Sequence, residues 1–187
     1  MDIMIIITGI IAYLIGALPT GYLIARLEGI NEIREHGSGN IGATNVSRVL
    51  GIKYFFLIFF LDAGKAFFFI KMITPYYSAE YLYIFASIVL LGNGCSIFLR
   101  GSGGKGVATL FGLLAALNVT ATLLIFGIWA ILVALTRTVG IASVGAAIAL
   151  PFYAYTTHDT AFFVFTLFAA LWIVQTHKAN IHAYWNK

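Results

Sequence analysis

The chain has 187 residues, of which 61% are hydrophobic and only 10% are charged. A soluble domain usually carries about 25% charged residues, so this composition excludes an ordinary soluble globule and a disordered chain. The net charge of +4 comes from scattered residues, which excludes a nucleic-acid-binding module. The single cysteine, Cys95, cannot form an internal disulfide. The lipid bilayer is therefore the expected solvent.

Seven apolar stretches are predicted to cross the membrane as helices. A spanning helix needs about 20 residues to cross a hydrocarbon core of about 30 Å. The uncharged stretch 107–135 is too long for one span, so we divide it near Asn118. The expected fold is a single all-α transmembrane domain, 1–187. The predicted spans are 3–25, 54–73, 81–99, about 106–117, about 120–136, about 140–156 and about 160–176.

The distribution of lysine and arginine predicts the orientation of these helices. With seven spans, the odd-numbered loops and the C-terminus share one side, and they hold nine of the eleven basic residues. Lys65 falls within a span, and only Lys71 lies toward the opposite face. We therefore expect the N-terminus outside and the C-terminus in the cytoplasm. The long polar loop, 28–53, then lies on the cytoplasmic side.

The first polar segment, 36–48, has the composition of an anion-binding loop. Three glycines within six residues let backbone amides approach a ligand closely, and an arginine adds a fork suited to phosphate. The stretch 37–42 also fits the G-x-G-x-x-G dinucleotide fingerprint, but it follows a charged loop instead of a strand, so we reject that interpretation. A plain flexible loop is the alternative. The candidate residues are Gly37, Ser38, Gly39, Asn40, Gly42, Thr44, Asn45 and Arg48.

The second polar segment, 100–109, combines several glycines with Lys105 and opens a predicted helix. Helix N-termini attract anions through unpaired amides, and the lysine adds a mobile positive charge. It is not a Walker A loop, because Gly106 follows the lysine where serine or threonine is required. A tight turn would need only one glycine. The candidate residues are Gly103, Gly104, Lys105, Gly106 and Thr109.

Weaker signals come from the rest of the chain. His177 and Asn180 are three residues apart and would share a face if the last helix continued, although from these residues alone we favour a cap at the membrane end. Ser143 resembles a serine that packs between helices. Asp62 and Lys65 lie within one span, where a structural ion pair and a ligand-binding role both remain open.

Several catalytic patterns are missing from the sequence. No serine lies in a G-x-S-x-G elbow, no histidine is followed five residues later by aspartate, and no acidic, histidine or cysteine cluster has metal-ligand spacing. We therefore expect no metal and no cofactor. Catalysis would depend on binding anions in position and on stabilising charge.

Taken together, these residues resemble the bacterial acyl-phosphate:glycerol-3-phosphate acyltransferases, the PlsY family. The similarity covers nearly the whole chain. The segment 37–48 resembles the first signature of the family, and 103–109 resembles the second, while His177 and Asn180 resemble a weaker third. The stretch 16–26 resembles the opening helix of the family. The charged residues Asp62, which follows Leu61, and Lys65 resemble those of the next helix.

The resemblance implies a seven-helix membrane enzyme that moves a fatty acyl group from acyl phosphate to the 1-hydroxyl of glycerol 3-phosphate. It also implies a bacterial plasma membrane, a cytoplasmic active site, lipid as a neighbour and no nucleic acid; we expect a monomer. Ser143 falls on a further phosphate-site position. The candidate catalytic residues are Ser38, Arg48, Lys105, His177 and Asn180.

Two other functions remain open from the sequence. One is a transporter for a small organophosphate, which would place glycine-rich helix ends near the middle of the membrane. The other is an inactive relative that binds acyl phosphate without releasing phosphate. Asn93, which stands where the family usually has histidine, and a short C-terminal tail suggest the second possibility.

Overall fold

The computed structural model describes residues 2–186, and these residues form an all-α protein with three additional short 3-10 helices. The expected all-α class is confirmed for this part of the chain, since no strand occurs in it. The helices are α1 (Asp2–Ala17), α2 (Thr20–Leu27), α3 (Ala43–Leu50), α4 (Ile52–Ile73), α5 (Ala79–Gly94), α6 (Val107–Leu117), α7 (Val119–Thr136), α8 (Val139–Thr156), α9 (Thr160–Thr176) and α10 (Lys178–Trp185).

Many large apolar side chains lie on the surface of the helices, including Ile3, Phe60, Phe68, Leu123 and Phe152, as expected of a protein surrounded by lipid. Three helical segments in the described chain are long and apolar enough to cross a bilayer, namely Ala79–Leu99, α7 and α8. The number rises to five if the bent pairs α1–α2 and α9–α10 each form one span.

The predicted span 3–25 is wrong in one respect, because the helix breaks between Ala17 and Thr20 and bends by 40°. Pro19 lies in the break, and proline has no backbone N–H to continue the helix. The backbone carbonyl oxygens at the break, which lack helical N–H partners, accept from a side chain of another helix instead. Lys65 donates to the carbonyl oxygens of Gly16 (3.2 Å) and Leu18 (2.7 Å).

Three further contacts stabilise the chain around this break. Ser96 donates its hydroxyl to the carbonyl oxygen of Ala17 at 2.6 Å. Asp62 accepts from the Thr20 hydroxyl at 2.6 Å and forms an ion pair with Lys65 at 2.7 Å. Every polar group in this cluster therefore has a partner, and the contacts of Asp62 and Lys65 are those of a structural ion pair.

The other boundaries agree with the sequence to different degrees. The division at Asn118 is confirmed, since its carboxamide oxygen accepts from the Ala121 N–H at 2.9 Å and caps α7. The predicted loop 28–53 instead contains helix α3, and the helix predicted to end at 99 ends at Gly94. The last helix does not continue through His177, where the chain bends by 58° into α10.

Two apolar clusters organise the molecule. The larger one fills the space between the long helices. The smaller one lies beneath the polar loop and holds both polar segments, because Ile41 and Val46 belong to the first segment and Leu99 immediately precedes the second. Its buried members are Ala25, Ile33, Ile41, Val46, Tyr54, Ile58 and Leu99.

Candidate active site

The first polar segment is folded around the buried side chain of Asn45. The Asn45 carboxamide oxygen accepts from the backbone N–H of Ser38 at 2.7 Å. Its NH2 group donates to the carbonyl oxygens of His36 (2.9 Å) and Asn40 (2.8 Å). Gly37 adopts φ +60°, and any side chain there would collide with Asn45. Hydrogen bonds therefore hold this segment in one conformation, so it is not a flexible connection.

Asn40 connects the first polar segment to the second. Its carboxamide oxygen accepts from the N–H of Gly42 at 2.8 Å, which fixes the side chain at the start of α3. Its NH2 group donates to the carbonyl oxygen of Gly103 at 3.3 Å. Two glycine-rich segments that are about sixty residues apart in sequence thus lie side by side, as a shared anion site requires.

The glycines of the second segment pack against the end of α5. The N–H of Gly104 donates to the carbonyl oxygen of Asn93 at 2.8 Å. A Cβ atom on Gly103 would lie only 2.5 Å from the carbonyl oxygen of Gly94. Gly106, the N-cap residue of α6, adopts φ +87°, where glycine is strongly preferred. Close packing is thus one physical reason for these glycines.

Lys105 connects the second segment to the third. Its ammonium group donates to the carboxamide oxygen of Asn180, and its carbonyl oxygen accepts from the Thr176 hydroxyl at 3.1 Å. Asn180 in turn lies against Gly140 at the start of α8. The structure therefore gathers Lys105 and Asn180 from separate segments, even though α9 and α10 do not form one continuous helix.

The electrostatics of the site favour an anion. Burial lowers the pKa of Lys105 below its ordinary value, and the neighbouring Arg48 guanidinium lowers it further. The only ion pairs in residues 3–186 are Arg34–Glu32 and Lys65–Asp62, so no carboxylate in this range neutralises either cation. Two neighbouring cations without an acidic partner repel each other, and a bound phosphate would relieve that repulsion.

His177 is buried at the end of α9, beside the same group of residues. Its Nδ1–H donates to the carbonyl oxygen of Ile173 at 2.8 Å, which leaves Nε2 as an acceptor. Burial lowers the pKa of His177 to about 4, and the nearby Lys105 charge contributes to this. The ring is therefore neutral at pH 7, so His177 does not add a third positive charge.

Other predicted site residues occupy different surroundings. Ser38 is exposed, whereas Thr44 is half-buried at the start of α3. Ser143 is buried, donates to the carbonyl oxygen of Val139 at 2.8 Å and accepts from the Trp129 indole at 3.2 Å. The Thr109 hydroxyl is sealed from solvent. The structure thus does not bring Ser143 into hydrogen-bond contact with the polar segments.

The sequence did not reveal the contacts made by Asn93 and Thr176. Asn93 is a polar residue in the last turn of an apolar helix, directly before the second segment. Thr176 is the last residue of α9. Polar residues at the ends of apolar helices next to a glycine-rich segment are a signal that could have indicated both.

Comparison with known proteins identifies the family. A family model described as glycerol-3-phosphate acyltransferase matches residues 6–187. The chain is 38% identical over 185 residues to the glycerol-3-phosphate acyltransferase of Thermosynechococcus vestitus, which covers 92% of this chain and 87% of that protein. The chain belongs to the glycerol-3-phosphate acyltransferase family.

Other members of the acyltransferase family agree. The protein of Thermosipho melanesiensis is 39% identical over 172 residues, covering 91% of this chain and 84% of its own. The structure also resembles that of PlsY, an integral membrane glycerol 3-phosphate acyltransferase, in its glycerol 3-phosphate form. The TM-score is 0.91 with 32% identity, covering 95% of this chain and 90% of that chain. The lysophosphatidic acid form gives a TM-score of 0.88.

Proposed function

We propose that the chain transfers a fatty acyl group from acyl phosphate to the 1-hydroxyl of glycerol 3-phosphate, as the first step of phospholipid synthesis. The observation that carries this proposal is the hydrogen bond from Asn40 to Gly103 (3.3 Å), which joins the two segments that supply Arg48 and Lys105. Neither cation has an acidic partner in residues 3–186. Both substrates carry a phosphate, and the site offers one cation for each. Membership of the acyltransferase family supports the same reaction.

In the proposed reaction, the 1-hydroxyl oxygen attacks the acyl carbonyl carbon and forms an ester bond. The bond between that carbon and the phosphate oxygen breaks, and the phosphate leaves with the bonding electron pair. The leaving phosphate takes up the hydroxyl proton, so the products are lysophosphatidate and inorganic phosphate. The donor itself accepts the proton, and the scheme needs no protein base, metal or cofactor.

The protein contributes position and charge in this scheme. Arg48 and Lys105 bind the two phosphates. The leaving phosphate is held by the backbone amides of Gly37, Asn40 and Ile41, which donate to no other group in the described chain. Ser38, His177 and Asn180 complete the site as neutral polar groups. Asn45 and Asn40 act indirectly, because Asn45 holds the first segment in its conformation and Asn40 connects it to the second.

The proposed setting is the bacterial plasma membrane, with the site at the cytoplasmic face. The chain would act there as a monomeric single domain, 1–187. The seven proposed spans are α1 with α2, α4, α5, α6, α7, α8 and α9, with the N-terminus outside. Helix α6 has only 11 residues, or about 16 Å at 1.5 Å per residue, which is shorter than the hydrocarbon core of about 30 Å. The second segment, at the N-terminal end of α6, would therefore lie inside the bilayer on its cytoplasmic side.

The decisive experiment measures phosphate release from palmitoyl phosphate by the purified protein, with and without glycerol 3-phosphate. The proposal expects release only when both are present, together with one lysophosphatidate per phosphate. Binding of palmitoyl phosphate without release would identify an inactive relative. Uptake of labelled glycerol 3-phosphate into liposomes without acylation would identify a transporter.

A further inference from the structure

Buried polar side chains normally have hydrogen-bond partners, so the exceptions indicate where a ligand binds. All but two of the buried polar side chains in residues 3–186 are hydrogen-bonded to other groups of the protein. The two exceptions are Asn93 and Thr109. The full set is Thr8, Asn45, Asp62, Asn93, Ser96, Thr109, Ser143, Thr166 and His177.

Both exceptions adjoin the second polar segment. Asn93 immediately underlies Gly104, and Thr109 lies three residues after Gly106. A third unpartnered group, the Trp172 indole N–H, lies 3.6 Å from the position that a Cβ atom on Gly106 would occupy. The hydroxyl of Thr109 and this indole N–H are sealed from solvent, so neither can meet a ligand without rearrangement.

Asn93 is different, because its carboxamide is not among the sealed groups and lies against the glycine surface. Only 6% of the residue is exposed. A Cβ atom on Gly104 would lie 3.0 Å from the carboxamide oxygen of Asn93 and 3.5 Å from its nitrogen. The absence of a side chain at Gly104 therefore leaves space beside both polar atoms of the carboxamide, where a ligand can approach.

We propose that the Asn93 carboxamide binds a substrate phosphate, donating a hydrogen bond from its NH2 group. This inference rests on the proposed function, since it places Asn93 in the same site as Lys105, one residue beyond Gly104. An unpaired amide costs stability in the free protein, and a phosphate oxygen is the acceptor that the site is built to receive. The phosphate belongs either to glycerol 3-phosphate or to acyl phosphate.

The test compares Asn93→Leu and Asn93→Asp with the wild-type protein. Leucine has a similar size but no donor, and aspartate adds a negative charge that repels phosphate. We expect Asn93→Leu to raise the KM for one substrate at least tenfold while kcat changes less than threefold, and Asn93→Asp to raise it further. The substrate with the raised KM is the one whose phosphate Asn93 binds.

A melting curve separates this role from a structural one. Removing an unpaired amide should leave the melting temperature of Asn93→Leu unchanged or higher, whereas removing a structural hydrogen bond would lower it. Ser87→Ala, which removes a hydroxyl from the same helix, is the control, and both KM values should stay at wild-type levels. Unchanged KM values in both Asn93 variants, or a lower melting temperature with unchanged KM, would overturn the inference.

Calorimetric titration with glycerol 3-phosphate and with palmitoyl phosphate keeps the two proposals distinguishable. If the wild-type protein binds either compound but releases no phosphate, the proposed reaction fails. Asn93 is then tested by binding alone. Weaker binding of one compound by Asn93→Leu supports its role, and equal binding by variant and wild type contradicts it.

Discussion

The protein has two groups of charged residues with opposite organisation. Lys65 lies within α4 and has Asp62 at 2.7 Å and two backbone carbonyl oxygens as partners. Arg48 belongs to the first polar segment and Lys105 to the second, the Arg48 charge lowers the pKa of Lys105, and no carboxylate in the described chain forms an ion pair with either. The first group is complete without a ligand, whereas the second has an excess of positive charge.

This difference distinguishes a structural ion pair from a binding site more reliably than burial does. An isolated charge in a low-dielectric environment is costly, so the protein pairs it when the role is structural. Two neighbouring cations without an acidic partner repel each other, and an anionic ligand offsets that repulsion. Substitutions in the two groups should therefore affect different properties, namely stability in the first and turnover in the second.

The largest effect is expected from Arg48→Ala. Removing one of the two cations that we propose neutralise phosphate should lower kcat/KM by roughly 100-fold to 1000-fold. Arg48 is exposed, so the melting temperature should change little. Lys53→Ala removes an exposed cation from the start of α4 and is the matched control. Activity of Arg48→Ala close to that of the control would contradict the assignment.

Lys65→Met should show the opposite pattern. It leaves Asp62 without its cation and two carbonyl oxygens at the Pro19 break without a donor, so we expect a loss of about 3–5 kcal/mol in unfolding free energy. Activity per folded molecule should stay within a few-fold of wild type. Lys71→Met, which changes an exposed lysine on the same helix, should have little effect. Unchanged stability combined with lost turnover would place Lys65 in the active site.

Asn45→Leu should have a smaller effect on turnover than Arg48→Ala. The change removes three hydrogen bonds that shape the first segment, each contributing about 1 kcal/mol. Because Asn45 supports the loop and makes no charge contact, we expect KM to rise about tenfold with a moderate loss of stability. Ser47→Ala, which removes a hydroxyl from the same helix, provides the comparison. A normal KM in Asn45→Leu would show that the loop holds its shape without this residue.

The sequence predicted the helices well because apolar runs of adequate length have few alternatives in a membrane. It also identified both polar segments, since dense glycine beside a cation is unusual in a simple turn. The break at Pro19 was not foreseen, although proline signals it directly. The replacement donors, Lys65 and Ser96, come from distant parts of the chain, so only the tertiary structure could show how the break is stabilised.

The sequence alone could not show which role the glycines of the second segment have. Their density suggested an anion site, but Gly103 packs so closely on the end of α5 that any side chain would overlap its backbone. Close packing and ligand approach require the same residue, and one sequence cannot separate them. The bridge from Asn40 to Gly103 was equally invisible, because asparagine occurs in many loops without connecting them.

The subtlest expected difference between the two charge groups is their response to pH. Burial and the neighbouring Arg48 lower the pKa of Lys105, so its ammonium loses its proton at a lower pH than a solvated lysine would. If that charge binds a phosphate, kcat/KM should fall at alkaline pH, with a midpoint below the ordinary lysine value of about 10.4.

Lys105→Arg should keep part of the activity and remove this alkaline decline, because arginine stays charged. Arg48→Gln should move the decline to higher pH, since it removes the repulsion. An identical decline in wild type and Lys105→Arg would show that another group titrates, and that the Lys105 charge does not bind substrate.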